Sequence, residues 1–257
     1  MSILRVEGLT RRFGGLVAVN DVTFDVAAGR ITAVIGPNGA GKTTLFNLIS
    51  GAMPPSEGRV VFDGREITGL APEAVARLGL VRTFQLVKLF SDLTVLENVK
   101  IGTHLHARGG LFAALLRPGW AREEERAVAK AAADLLDFVG LGDLADLPAA
   151  GLSYGRQRLL EMARALAARP RLILLDEPAA GLNAEESARL SAIIRRIAAG
   201  GTTVLLIEHD MTLVMNTADE VVVLDFGRKV TQGTPHEVRN NPDVIAAYLG
   251  GVEIGHG

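Results

Sequence analysis

Apolar and polar residues alternate along the first part of the chain. Residues 3–28 alternate around Gly14-Gly15 and Ala28-Gly29, which predicts short antiparallel strands with one solvated face. The apolar run 31–35 then predicts a buried strand, and residues 45–49 predict the first turns of a helix. Residues 58–64 indicate a strand closed by an Asp-Gly turn, and residues 80–85 another strand. A β layer is therefore expected around a strand-turn-helix unit.

The hydrophobic period changes after residue 85. Residues 94–103 and 122–139 show helical spacing, and a third helix is expected from about 152 to 167. In the second of these helices one face is apolar, formed by Val128, Ala132, Leu135, Leu136 and Val139. Gly109-Gly110 and Pro118-Gly119 flank an apolar run at 111–116. The pattern predicts a mostly helical insert over residues 86–165.

The strand pattern resumes at residues 171–176, an apolar run that is too short for a typical helix. A helix at 184–199, a strand at 202–207, a helix at 211–217 and a strand at 220–224 then alternate, as in a doubly wound sheet. We therefore predict an α/β protein in which residues 1–85 and 166–257 form the core, with an N-terminal antiparallel β layer and the helical insert 86–165.

Composition narrows the class of protein. The 257 residues are 48% apolar, enough for one large α/β domain or a core with a smaller insert. A net charge of -2 provides no basic field, so no nucleic-acid partner is expected. The chain has no cysteine, which excludes disulfides and thiolate chemistry. Because the sequence shows neither a signal peptide nor an apolar stretch of about 18 residues, we expect a protein of the cytosol.

Residues 36–43 match the phosphate-loop pattern G-x-x-x-x-G-K-[ST] between the predicted strand and helix. Such a loop turns its backbone N–H groups inward, its lysine reaches the terminal phosphates, and its Thr hydroxyl holds Mg²⁺. The alternative is an ordinary Gly-rich turn, which the flanking elements disfavour. The predicted nucleotide-binding residues are Gly36, Pro37, Asn38, Gly39, Ala40, Gly41, Lys42, Thr43 and Thr44.

Further candidate catalytic and metal-binding residues lie at the ends of predicted strands. Asp176 and Glu177 end a predicted central strand, at the edge where open α/β sheets bind ligands. Asp176 is suited to hold Mg²⁺ with Thr43, and Glu177 to polarise the attacking water; alone, the pair would also fit two exposed acids at a strand exit. Gln85 could complete the metal and water shell or be a plain polar strand end. His209 could reach the γ-phosphate, although a lone histidine is more often structural.

Three other residues leave their alternatives open at this point. Ser153 and Gly155 stand where a helix is expected to begin, and by chemistry alone a helix cap is favoured over an anion site. Phe13 could stack on an adenine or fill the β layer, which is the commoner fate of such a side chain.

The ordered set of motifs resembles the ATP-binding subunits of ATP-binding cassette (ABC) transporters. The resemblance implies a RecA-like P-loop core and two subunits that sandwich two ATP molecules with Mg²⁺. Phe13 would contact the adenine, and Ser153 and Gly155 would contact the ATP bound to the partner subunit. Lys42, Gln85, Glu177 and His209 would be the catalytic residues, and Thr43, Gln85 and Asp176 the metal ligands.

Two departures from the common family pattern point to a subgroup. The signature reads Leu-Ser-Tyr-Gly-Arg, with Tyr154 and Arg156 in place of Gly and Gln, and the turn after the acids ends in Asn183. Tyr154 and Asn183 resemble the branched-chain amino-acid (Liv-type) importer ATPases, whereas Arg156 is unusual there. Urea-importer and lipopolysaccharide-export ATPases are near relatives. A soluble cassette ATPase and a small P-loop kinase fit less well.

This resemblance also implies partners and a location. We expect transmembrane permease subunits, a second ATP-binding subunit that is a copy or a relative of this chain, and indirectly a substrate-binding protein. The location would be the cytoplasmic face of the inner (plasma) membrane, as a peripheral subunit.

Overall fold

The N-terminal β layer is a four-stranded antiparallel sheet. A computed structural model describes residues 1–83, 89–103 and 119–250, so that Gln85 and the apolar run 111–116 lie outside the described residues. The sheet contains β1 (Ser2–Phe13), β2 (Leu16–Ala27), β4 (Glu57–Phe62) and β5 (Arg65–Glu66) in the order β2-β1-β4-β5. The alternating pattern of the sequence correctly predicts the β1–β2 hairpin. The Asp63-Gly64 turn has positive φ at both residues (50° and 76°), as a tight hairpin turn requires.

A six-stranded sheet forms the centre of the molecule. Its strands are β3 (Ile31–Ile35), β6 (Leu80–Arg82), β7 (Leu172–Asp176), β8 (Thr203–Ile207), β9 (Glu220–Asp225) and β10 (Arg228–Gly233). The order is β10-β9-β3-β8-β7-β6, and only β10 pairs antiparallel with its neighbour. Every residue of β3, β7 and β8 is buried, which explains their apolar runs. The loops after these three adjacent strands leave the same edge of the sheet.

Nine α-helices occur in the part of the chain that the structure describes. They are α1 (Lys42–Ile49), α2 (Pro72–Arg77), α3 (Val95–Gly102), α4 (Gly119–Val139), α5 (Tyr154–Ala167), α6 (Ala184–Ala199), α7 (Met211–Thr217), α8 (Pro235–Arg239) and α9 (Pro242–Gly250). The predicted helices correspond to α1 and to α3 through α7, with ends within about three residues. Helices α2, α8 and α9 and strands β5 and β10 were not predicted. The strand expected over 80–85 covers residues 80–82 and ends before Thr83, and residues 84 and 85 lie outside the described part of the chain.

Apolar residues form one cluster on each face of the six-stranded sheet. Ile31, Ala33 and Ile35 point into one cluster and Val34 into the other, because successive strand residues face opposite sides. The β layer and α1 pack in the Val34 cluster. Helices α3, α4 and α5 lie between β6 and β7 in sequence and pack in the other cluster. Assignment of residues 86–165 as a separate subdomain remains a prediction.

Candidate functional site

The phosphate-loop segment leaves β3 and leads directly into α1. Gly41 caps the helix in a left-handed conformation with φ 96°, and no side chain caps this helix end. A Cβ on Gly41 would lie 2.3 Å from the carbonyl oxygen of Ala18 in β2, so this position needs glycine. The first turn of α1 contains no acidic residue. Its free N–H groups therefore form an anion site of the kind that binds phosphate.

An open space of about 220 Å³ lies at this loop. It is lined by residues 38–44 together with Ala18 and Glu177. Seven of the nine predicted loop residues, Asn38 to Thr44, thus share one cavity with Glu177, although 135 residues separate Lys42 from Glu177 in the chain; Gly36 and Pro37 do not line it. The fold brings them together because β3 and β7 both flank β8 and end at one edge of the sheet.

Lys42 is folded back onto its own loop. Its Nζ donates hydrogen bonds to the carbonyl oxygens of Gly36 (2.8 Å) and Pro37 (2.9 Å). Burial lowers the pKa of Lys42, and the negative charges of Glu177 and Asp176 partly oppose this shift. A phosphate could replace the two carbonyl oxygens as the partner of Lys42.

Asp176 ends β7 and is 1% exposed. Its Oδ2 accepts a hydrogen bond from Arg82 at 2.6 Å. Its Oδ1 is buried and accepts no hydrogen bond from the residues that the structure describes. An orphaned buried carboxylate oxygen is costly, and a cation would satisfy it. The Thr43 side chain at the first turn of α1 is exposed, so the Asp176 and Thr43 oxygens suit the hard oxygen-ligated metal that the sequence predicts.

Glu177 has a backbone conformation that is rare for a residue with a side chain. Its φ is 47°, in the left-handed region. The N–H of Glu177 donates to the carbonyl oxygen of Ile207 in β8 at 3.0 Å, which holds this turn against the neighbouring strand. Strain of this kind is found often at functional sites, where the surrounding structure maintains it.

His209 follows β8 after one residue, Glu208, and its side chain is exposed. Because β8 lies between β3 and β7, His209 leaves the same sheet edge as the phosphate loop and Glu177. Phe13 is 42% exposed at the end of β1, and the Arg11 guanidinium lies 4.8 Å from its ring centre. The alternative in which Phe13 fills the interior of the β layer is therefore wrong.

The signature segment begins α5 and does not line the cavity at the phosphate loop. Ser153 occupies the N-cap position, but its side chain makes no capping hydrogen bond, so the cap that chemistry alone favoured is wrong. Ser153 is exposed and Gly155 is buried. A Cβ on Gly155 would lie 2.4 Å from a carboxylate oxygen of Glu186. A side chain at this position would therefore require the Glu186 carboxylate to move, whatever Gly155 contacts elsewhere.

The residues after Glu177 form a turn that leads to α6. Asn183 and Glu186 form a capping box at the start of that helix. The Tyr154 ring lies against Gly181, where an added Cβ would come within 3.1 Å of the ring. The Tyr154 hydroxyl accepts hydrogen bonds from Arg158 at 2.8 and 3.1 Å. The signature segment and this turn therefore form one packed unit within the chain.

Sequence reasoning missed two residues at the edge of the sheet. Arg82 pairs with Asp176, and Glu208 is a fully buried carboxylate beside His209. The sequence pattern around Glu208 could have indicated a site residue, since Glu208 follows an apolar strand just as Asp176 ends one. No local sequence pattern indicated a role for Arg82, because its partner Asp176 lies 94 residues away.

Comparisons with known proteins agree on the family. Residues 19–180 match the family described as ABC transporter, and residues 228–254 match the family described as branched-chain amino acid ATP-binding cassette transporter. A high-affinity branched-chain amino acid transport ATP-binding protein, BraF of Pseudomonas aeruginosa, is 48% identical over 249 residues. This match covers 96% of the chain and 98% of BraF.

Solved structures of cassettes have the same fold. The ADP conformation of an ATP-binding cassette of an ABC transporter superimposes with a TM-score of 0.85 at 36% identity, covering 97% of this chain and 99% of that one. A dimeric structure of a bacterial ABC transporter cassette gives a TM-score of 0.75 at 25% identity, covering 90% of this chain and 98% of that one. The chain belongs to the ATP-binding cassettes of the ABC transporter family, in the branched-chain amino-acid (Liv-type) group.

Proposed function

We propose that this chain is the ATP-hydrolysing subunit of an importer for branched-chain amino acids. The observation that carries the proposal is the cavity that joins the phosphate loop to Glu177, with Asp176 and His209 at the same edge of the sheet. The transport role and the substrate class rest on the 48% identity to BraF and on the match of residues 228–254.

ATP binding uses the free N-terminus of α1 and the backbone of residues 36–44. Lys42 exchanges its bonds to the uncharged carbonyl oxygens of Gly36 and Pro37 for bonds to the β- and γ-phosphates, which are stronger because donor and acceptor are then both charged. The exposed ring of Phe13 stacks on the adenine.

Mg²⁺ would be held by Thr43 and Asp176, through the Asp176 oxygen that lacks a partner, with Gln85 completing the shell. When bound, it would neutralise charge on the phosphates. Among the described residues no group of three or more acidic or His side chains could hold a metal. Mg²⁺ commonly takes its remaining ligands from water and from phosphate oxygens.

Hydrolysis transfers the γ-phosphoryl group to water, with release of ADP. Glu177 accepts a proton from the attacking water, while Lys42 and His209 stabilise charge on the γ-phosphate. The backbone conformation of Glu177 fixes where its carboxylate points. Gln85 orients the water in this scheme.

A second ATP-binding subunit, a copy or a relative of this chain, completes the site. Ser153 and Gly155 of each subunit contact the ATP on the other. Two observations support this arrangement: the Ser153 hydroxyl is not used as a helix cap, and a cassette of the same fold is dimeric. Arg156 is exposed beside Ser153 and replaces the usual glutamine there.

The transported molecule does not bind to this subunit in the proposed scheme. Among the described residues no helix is long and apolar enough to span a membrane. Transmembrane permease subunits therefore form the pathway, and a substrate-binding protein delivers the amino acid. The chain acts at the cytoplasmic face of the inner membrane, where helices α3 to α5 transmit closure and reopening of the paired cassettes.

Glu177→Gln tests the hydrolytic assignment. Gln keeps the size of the side chain but cannot accept the proton, so steady hydrolysis should fall by about 100-fold or more. ATP binding should persist, and light scattering should show an ATP-dependent dimer. Glu185→Gln is the matched control, because Glu185 is an exposed acid on α6 and its loss should leave hydrolysis unchanged. Undiminished hydrolysis by the Glu177 variant would refute the assigned role.

A further inference from the structure

Glu208 is a buried carboxylate to which the reaction gives no role. It follows β8 directly and is 0% exposed. Removing an ionised carboxylate from water costs several kcal/mol unless strong partners replace the water. Burial accordingly raises the pKa of Glu208, and backbone N–H donors partly offset the shift. Because burial of this carboxylate is unfavourable, we expect its hydrogen bonds to serve a specific structural role.

The two oxygens of Glu208 bind different segments. Oε1 accepts the N–H of Ala179 at 2.8 Å, in the turn that follows β7. Oε2 accepts the N–H of His209 at 3.1 Å and that of Asp210 at 3.4 Å, in the loop that follows β8. One carboxylate therefore connects the turn that contains Glu177 to the loop that contains His209.

A backbone bond makes the same connection nearby. The N–H of Glu177 donates to the carbonyl oxygen of Ile207, one residue before Glu208. Ala179 is two residues after Glu177, so the turn is attached to β8 and its loop on both sides of Pro178. Without the Glu208 bond, the buried N–H of Ala179 would lose a partner.

We propose that Glu208 is a positioning residue that holds the His209 loop and the Glu177 turn in fixed relation, so that both side chains act on one γ-phosphate. The inference rests on the proposed function of Glu177 and His209. It adds a residue that touches neither nucleotide nor metal and acts only through the backbone of the two loops.

The geometry predicts which substitution is informative. In Glu208→Gln the amide oxygen can still accept from Ala179, because it has the same reach. The amide NH₂ group is a donor and cannot accept from His209 or Asp210. Because the amide can turn over, its oxygen can accept on only one side at a time, so the variant releases either the His209 loop or the turn after Glu177 and in both cases breaks the link between them.

The test compares Glu208→Gln with Glu237→Gln in the full chain. Glu237 also accepts a backbone N–H, that of Thr234 at 2.7 Å, but it caps α8, which follows β10 at the opposite edge of the sheet. We measure kcat and KM for ATP, and the exchange of single backbone amides by NMR.

We expect Glu208→Gln to lower kcat by about tenfold with KM for ATP within about twofold, since the phosphate loop is untouched. The amide of His209 or that of Ala179, whichever loses its acceptor, should exchange about tenfold faster, while the other keeps its protection. Glu237→Gln should leave kcat unchanged. If Glu208→Gln does not fold, Glu208→Asp keeps the charge with a shorter reach, and the same loss of kcat at constant KM is expected.

Two results would overturn the inference. One is a kcat of the Glu208 variant equal to that of the Glu237 variant. The other is faster amide exchange throughout the sheet with kcat and KM both impaired, which would indicate a role in stability alone. Failure of the proposed function is a distinct result, because Glu177→Gln and His209→Ala would then retain hydrolysis whatever Glu208 does.

Discussion

In the absence of nucleotide and Mg²⁺, Arg82 should stabilise the folded protein by neutralising the charge of Asp176. Its guanidinium donates to Asp176 Oδ2 at 2.6 Å, to Asn47 Oδ1 at 2.7 Å and to Ser50 Oγ at 3.2 Å. The residue thus joins the end of β7, the end of β6 and helix α1. Arg82→Met keeps much of the apolar stem of the side chain but removes the charge and these donors.

The size of the effect follows from the burial of the pair. The Arg82 and Asp176 side chains are 15% and 1% exposed. Removing one partner of a buried ion pair costs about 3 to 5 kcal/mol, because the other charge stays buried without compensation. Since Arg82 keeps some contact with solvent, we expect a loss near 3 kcal/mol, which corresponds to about 6 to 12 °C in Tm for a domain of this size.

This loss of unfolding free energy is measured by urea denaturation of four proteins in the absence of nucleotide and Mg²⁺. They are the wild type, Arg82→Met, Asp176→Asn and the double variant. If the cost arises from the unpaired Asp176 charge, the double variant should be more stable than Arg82→Met by about 1 kcal/mol or more. A loss below about 0.5 kcal/mol in Arg82→Met, or strictly additive effects, would refute the reasoning.

Two glycine substitutions test the packing around the site. Gly41→Ala places a methyl group 2.3 Å from the Ala18 carbonyl at a φ of 96°, so it should cost about 2 kcal/mol or more and weaken ATP binding, measured by urea denaturation and nucleotide titration; wild-type affinity would contradict this. Gly155→Ala meets the flexible Glu186 carboxylate, so it should cost only about 1 kcal/mol, and Glu186→Ala should relieve most of that cost in the double variant; an undiminished cost there would show that Glu186 is not the obstacle.

Much of the fold could be predicted from local pattern. The buried strands β3, β7 and β8 are short apolar runs, and the capping box at Asn183 marks the start of α6. Helix α8 also begins with a capping box, at Thr234, but has only five residues. The elements missed were short, such as α2, or joined by turns with weak signals, such as β10.

The candidate site was predictable where the chain itself carries the chemistry. The phosphate loop, Asp176 and Glu177 follow strands, so that sheet topology alone brings them to one edge. The bonds of Arg82 to Asp176 and of Glu208 to Ala179 span 94 and 29 residues and have no local pattern. The local pattern was misleading at Ser153. Serine is a favoured capping residue and occupies the N-cap position of α5, but its side chain makes no capping hydrogen bond.

The most direct test of the account asks whether Ser153 of one cassette meets the phosphate loop of another. The chain has no cysteine, so Ser153→Cys in one copy and Asn38→Cys in a second copy provide the only thiols. Both positions are exposed. Both copies carry Glu177→Gln, and Ser2→Cys in place of the Ser153 variant serves as the control.

The account predicts a disulfide-linked heterodimer that forms with ATP, is absent without nucleotide, and does not form with the Ser2 control. Equal linkage with and without ATP, or linkage of the Ser153 variant no greater than that of the control, would contradict it.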